Sequence, residues 1–368
     1  MNIRITPGMI DDAATAVKKL LTFNQPADAA LSEFFRERRA LGSRERGFIA
    51  ETAYVVLRRR RLLEKLAQPV VTPRRLVLAA LTRVNGLSQR QLAEAITAAE
   101  ADWLAGFRSR PEPMLTLAEQ TDLPDWLSER LRMRLSEEAL LQLARGLNQG
   151  ASLDLRVNSI KASREDVLAR LAADGIAAEA CRYAPLGIRL KAKPALQRHP
   201  LYLDGVIEVQ DEGSQLLGYL LAPKRGEMVV DFCAGAGGKT LLLGAMMRST
   251  GRLYALDVSD KRLARLKPRV ARAGLSNVHP VRISGENDSH VKRLAGKIDR
   301  VLVDAPCSGL GTLRRNPDLK WRLTPGSILE LSKKQHDILA AAARLVKPGG
   351  RLVYATCSIL LNLVAVAR

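Results

Sequence analysis

The stretch EMVVDFCAGAGGKTLLLGAMM, Glu227 to Met247, decides how this chain is read. An apolar strand pattern runs into a glycine-rich turn, and an apolar helical pattern follows at once. Glycines at 235, 237 and 238 let the backbone turn tightly and approach a ligand closely at the C-terminal edge of the strand. Working outward, GRLYALDVS (residues 251–259) is a second strand with Asp257 at its tip, about twenty residues after the glycines. A carboxylate there can accept hydrogen bonds from a ribose diol. Loop and acid together point to a nucleoside-containing cofactor without choosing among cofactors. Two rivals fail on detail. A P-loop would need glycine at position 233, which is Cys233, and a longer turn. A dinucleotide-binding loop would need a small residue where Thr240 stands.

Further along, DRVLVDAPCSGLGTLRRNPDLKWR (residues 299–322) is a strand ending in Asp304-Ala305-Pro306-Cys307, and GGRLVYATCS (residues 349–358) is one ending in Thr356-Cys357-Ser358. In an open parallel sheet the ligand crevice lies outside the carboxyl ends of the strands, so Asp304, Cys307 and Cys357 should share it with Asp257. A single cysteine is most often a small buried hydrophobe. Two at neighbouring strand tips, one after Asp-Ala-Pro, point to chemistry. Two thiols and a carboxyl beside a nucleoside cofactor suit methylation of cytosine at carbon 5. A thiolate adding to carbon 6 makes carbon 5 nucleophilic, a carboxyl near ring nitrogen 3 shares a proton, and a second thiol assists release.

The rest of the chain frames this unit. At 368 residues it has room for two or three domains, and its 58 Lys plus Arg against 38 Asp plus Glu give +20, which favours a polyanionic partner, nucleic acid before anionic membrane. Its start, MNIRITPGMI, carries no basic region followed by an apolar run, and no stretch is apolar for long enough to span a bilayer, so the chain reads as cytoplasmic. Cys181, Cys233, Cys307 and Cys357 are far apart, there is no CxxC pair and there are only four histidines, which argues against zinc and against a disulfide framework. Residues 1–146 read as helical and basic, with Ser88 and Gln91 placed as a capping box. Arg clusters in FFRERRALGSRERGF (34–48) and VVLRRRRLLEKL (55–66) are either a solvated basic face or an RNA-phosphate surface. Residues 147–222 read as a small α/β unit, with LDLRVN and GIRLKA as strands and a helix capped by Ser163 between them. Regular alternation of strands and helices over 223–368 predicts a parallel sheet covered on both faces.

DFCAGAGGKT, ALDVSDKRL, DRVLVDAPCSGLGTLRRNPDLKWR and LVYATCS together resemble the RNA cytosine-C5 methyltransferases of the NOL/NOP/Sun superfamily, nearest the bacterial Sun (Fmu) branch that acts on 16S rRNA. The likeness covers most of the chain. It implies a Rossmann-like class I methyltransferase domain, preceded by a small α/β subdomain and an all-α, NusB-like RNA-binding domain. It also implies S-adenosyl-L-methionine lying against Cys233, Ala234, Gly235, Ala236, Gly237, Gly238 and Lys239, with Asp257 on its ribose and Glu286 near its adenine, a place for which Asp288 competes. Lys239 either reaches the cofactor's carboxylate or caps the loop. Asp304 would sit between cofactor and base, Cys357 matches the nucleophile and Cys307 the cysteine of product release. DNA cytosine methyltransferases use the Pro-Cys cysteine as nucleophile instead, so those two roles rest on the resemblance. Arg314, Arg315, Lys320 and Trp321 either hold and stack on RNA or form a solvated loop. Arg156 and Asn158 match a family signature with no evident mechanism. The implied partner is 16S rRNA, with no metal and no membrane, and the implied state is a monomer.

Two departures stand out. The family's Ala-Pro in the cofactor loop is Gly235-Ala236 here. After Thr-Cys-Ser the family continues with Pro and a Glu-Asn-Glu segment, then further helix and strand, whereas this chain gives Ile359 to Arg368. That ending reads as a truncation, and it predicts an exposed edge on the last strand, association through it and low stability, unless the run Leu363–Ala367 folds back onto it. The competing functional class is a non-catalytic RNA-binding or assembly factor.

Overall fold

The computed structural model describes residues 4–109 and 114–360. Its residues form two compact units: those up to Gly150 together with Ser308–Ser327, and Ala151–Cys307 together with those from Ile328 onward.

The first unit is helical. Thr6 and Thr72 each accept a hydrogen bond from a backbone amide three residues on, and each is followed by proline at the first helical position, which has no N–H to leave unpaired. The helices they start, Pro7–Leu20 and Pro73–Ala79, pack with Ala27–Glu37 and Ser43–Arg58 around Ile10, Phe34, Ile49, Leu57 and Leu76. The Ser88–Gln91 capping box forms, but its helix closes after Gln89–Leu92.

The segment Ser308–Ser327 packs within this helical unit. Its Lys320 is 1% exposed; Nζ donates to the Arg58 carbonyl at 2.9 Å and to Asn148 Oδ1 at 3.1 Å. Trp321 Nε1 donates to the Leu57 carbonyl at 2.8 Å. Those carbonyls end the helix Ser43–Arg58, where the last turn has no intrahelical donors. Arg314 donates to the Gly150 carbonyl at 2.7 Å, and its own carbonyl accepts from Arg58 at 3.0 Å. Lys320 and Trp321, candidates for RNA contact, therefore serve as helix caps, while Arg314 and Arg315 remain exposed.

Burial pushes Lys320 down to about 7. An unfolded lysine titrates near 10.4, so between about pH 7 and 10 the unfolded chain binds more protons and stability rises with pH. Thermal unfolding of the wild type and Lys320→Met should accordingly diverge as pH rises from 7 to 9, the wild type gaining relative to the variant. A gap independent of pH would show that Lys320 stays charged when folded.

The second unit holds two sheets. The smaller is antiparallel, in the order β2-β3-β1-β4: β1 (Leu153–Val157), β2 (Ala178–Ala180), β3 (Gly187–Leu190) and β4 (Ile207–Val209). Its core of Leu155, Val157, Ile188 and Ile207 is covered by Val167 and Leu171 of the helix Arg164–Ala173, started by Ser163. The larger sheet is parallel, in the order β7-β6-β5-β8-β9: β5 (Met228–Asp231), β6 (Arg252–Asp257), β7 (Val278–Arg282), β8 (Ile298–Asp304) and β9 (Val346–Ala355). The order reverses between β5 and β8, the switch point where such sheets bind ligands. The last strand starts before its expected Gly-Gly: Val346 pairs with Ile298 and Arg351 with Arg300, so Lys347–Gly350 bulge out. The small sheet, with a core of its own, lies in one compact unit with the parallel sheet, joined to it by Arg156 and Asn158. β9 ends the sheet among the described residues. The run Leu363–Ala367, whose folding back was the exception to an exposed edge, lies outside the described residues. No helix among those described is long and apolar enough to cross a membrane.

Candidate active site

Beyond the tips of β5, β6, β8 and β9 lies a cavity of about 450 Å³, within the size range of small-ligand sites. Its lining comes from the segments that follow the strand ends, with Lys334 and Ile338 from the helix Pro325–Ala343. Gly235 and Gly237 have φ of 57° and 86°, a backbone that side chains resist, and a Cβ on Gly237 would run into Leu266. At Gly235 the same addition meets no atom within 4 Å, so the loop stands open to the cavity. Asp257 Oδ2 accepts from the Gly235 amide at 2.9 Å and Oδ1 from the Ser259 amide at 2.8 Å, while Arg262 lies 3.4 Å from Oδ1. The acid at the second strand tip thus fixes the glycine loop and keeps further lone pairs for a diol.

Glu286 lines the cavity. Asp288 is engaged elsewhere: it accepts from the Ser284 amide and hydroxyl and the His290 amide, each at 2.8 Å, and the Ser284 amide first among these holds it well below the usual carboxylate range. Lys239 lines the cavity as well. Its ammonium pairs with Asp304 Oδ2 at 2.5 Å. Cys233 lines the cavity too, its thiol pushed up to about 12 by burial.

The two cysteines meet because β8 and β9 run in parallel register, Asp304 opposite Ala355, with the Ala305 amide donating to the Ala355 carbonyl at 2.9 Å. Gln335 Nε2 donates to the Pro306 carbonyl at 2.7 Å and steadies that turn. Cys307 Sγ and Cys357 Sγ lie 3.2 Å apart, and both residues line the cavity. The hydrogen bond to Cys307, with burial behind it, pushes the Cys357 thiol above its ordinary range. Alkylation of Cys357 by iodoacetamide, followed on its peptide, should accelerate with rising pH in the wild type. In Cys307→Ala the profile should move to lower pH. An unmoved profile would mean that the neighbour does not control the thiol.

Sequence reasoning missed several residues here. Asp231, at the tip of β5, is 1% exposed; its Oδ2 accepts from Thr240 at 2.7 Å, its Oδ1 has no hydrogen-bond partner, and burial raises it to about 6. An acid just ahead of a glycine loop was a legible signal. Arg262 and Lys334 also line the cavity and carried none. An open glycine loop, a diol acceptor on the neighbouring strand and an orphaned buried carboxylate oxygen together fit a nucleoside with a charged amino-acid tail, as S-adenosylmethionine has. A separate buried group, Asp154, Cys181 and Glu212, has metal-like spacing, but Arg189 already binds both carboxylates at 2.9 to 3.1 Å.

A family model described as 16S rRNA methyltransferase RsmB/F matches residues 218–365, and one described as an RsmF/B-like, ferredoxin-like domain matches residues 123–197. The chain is 34% identical over 356 residues to a probable ribosomal RNA small subunit methyltransferase B of Synechocystis, covering 88% of this chain and 80% of that protein. It is 38% identical to the ribosomal RNA small subunit methyltransferase B of Sodalis glossinidius, over 70% of this chain but 59% of the relative's length. Among solved structures, PH0851 superposes with a TM-score of 0.79 at 30% identity, covering 99% of this chain and 88% of the other.

Proposed function

Because this chain belongs to the RsmB/F family of ribosomal RNA methyltransferases, we propose that it moves the methyl group of S-adenosylmethionine to carbon 5 of a cytosine in small-subunit ribosomal RNA, through a covalent bond from Cys357 to carbon 6. The observation that carries this reading is the pair of thiols at 3.2 Å beside Asp304, at neighbouring strand tips on the edge of the cofactor cavity.

S-adenosylmethionine, when bound, supplies an electrophilic methyl group; Cys233–Lys239, Asp257 and Glu286 would hold it. Cytosine carbon 5 is too weak a nucleophile to accept that group unaided, so the chain's own side chains must supply electron density. Cys357 gives up its proton to solvent and adds as thiolate to carbon 6. Electrons of the 5,6 double bond shift toward carbon 5, while Asp304, oriented by Lys239, shares a proton with ring nitrogen 3. After transfer, carbon 5 carries both methyl and hydrogen. Cys307, its proton released to solvent, removes that hydrogen as a proton. The freed electron pair restores the double bond, the carbon–sulfur bond breaks, and Cys357 leaves as thiolate and regains a proton from solvent. One proton is released per methyl group, as replacing C–H by C–CH3 requires.

The test is transfer of labelled methyl groups to protein-free small-subunit rRNA, with digestion to nucleosides. Label in 5-methylcytidine is the expected result. Label in any other nucleoside would overturn the chemistry, and RNA binding with no label at all would favour the non-catalytic reading.

A further inference from the structure

The geometry points to Arg156 as a positioning residue of the cofactor site, holding the glycine loop in its binding shape from the small sheet. Arg156 stands on β1, 3% exposed, and its Nη1 donates to the Gly238 carbonyl at 2.6 Å and to Gln210 Oε1. Directly across the strand pair, Glu208 of β4 binds Arg269 and Arg272. Arg269 in turn donates to the Ala236 carbonyl at 2.5 Å. One cross-strand pair thereby reaches two carbonyls of the loop, Gly238 directly and Ala236 through Arg269.

Such a grip has a physical purpose. Glycines that permit a positive φ also leave the loop many other conformations, and a cofactor that had to order it would lose affinity. Two charged donors fixing alternate carbonyls hold Gly235 and Gly237 in place before anything binds. Asn158 makes the comparison clean. It directly follows β1 and also ties the small sheet to the larger layer, donating to the Gly205 carbonyl at 3.1 Å and the Ala273 carbonyl at 2.9 Å, and its side-chain hydrogen bonds do not go to the loop. Arg156 and Asn158 thus divide one motif between cofactor loop and sheet packing.

This inference rests on reading the glycine loop as the S-adenosylmethionine site, and the test separates the two. Calorimetric titration of the full chain with S-adenosylhomocysteine should give a Kd about tenfold to a hundredfold weaker in Arg156→Met, the loss of one charged hydrogen bond. Arg156→Lys should recover part of it. Backbone amides of residues 234–240 should exchange hydrogen faster in both variants before ligand is added, and the KM for RNA should stay unchanged. Asn158→Ala should lower Tm while leaving Kd within about twofold. If Arg156→Met does not fold, the lysine variant with Gln210→Ala carries the measurement. Unchanged Kd in the Arg156 variants, or an equal rise in Asn158→Ala, overturns the inference alone. A wild type that does not bind S-adenosylhomocysteine overturns the cofactor reading with it.

Discussion

Cys357→Ala should transfer no methyl group above background, a loss of about 10⁴-fold or more, because without the thiolate nothing raises the electron density at carbon 5. Its partner should fail differently. In Cys307→Ala the addition and the methyl transfer can still proceed, but the hydrogen left on carbon 5 has lost its acceptor, so the carbon–sulfur bond persists. Protein should then accumulate joined to RNA and survive denaturing electrophoresis, dependent on S-adenosylmethionine and absent from Cys357→Ala. The geometry makes this a sharp contrast: the sulfurs are 3.2 Å apart, so a merely steric defect should strike both variants alike. A stable adduct in Cys357→Ala, with none in Cys307→Ala, would exchange the two roles, since at that separation either sulfur can reach the same ring.

The second large effect is expected at Asp304. Asp304→Asn keeps the shape of the side chain but cannot take up and return a proton at ring nitrogen 3, and kcat should fall by about 10²- to 10⁴-fold. The KM for S-adenosylmethionine should change little, because an interaction made chiefly in the transition state lowers kcat rather than ground-state binding. Lys239→Met tests the same carboxylate from the other side, by removing the ammonium 2.5 Å away that orients it. A smaller fall in kcat belongs to that variant if orientation is its part. If Asp304→Asn instead raised the KM alone, Asp304 would be a cofactor ligand and not the group that handles the proton.

Much of the site was legible because its signals are local. A strand running into Gly235, Gly237 and Gly238 is a pattern within one short window, as is Asp257 closing the next strand, and a parallel sheet then sends every strand tip to one edge. The same rule puts Asp304, Cys307 and Cys357 beside that edge. Side chains whose partners are distant in the chain were not legible in this way. Lys320 and Trp321 look like nucleic-acid contacts in sequence, but they finish a helix 262 and 264 positions away in the chain.

The sequence by itself determined which elements form and which end of the sheet carries the chemistry, because strand period, glycine turns and helix caps are set by neighbours along the chain. Only the tertiary structure decided what each polar group is bonded to. Lys239 meets Asp304 across 65 positions, Arg156 meets Gly238 across 82, and the two thiols meet across 50. A buried charge or donor must find a partner wherever packing brings one, and chain separation does not reveal which one that will be.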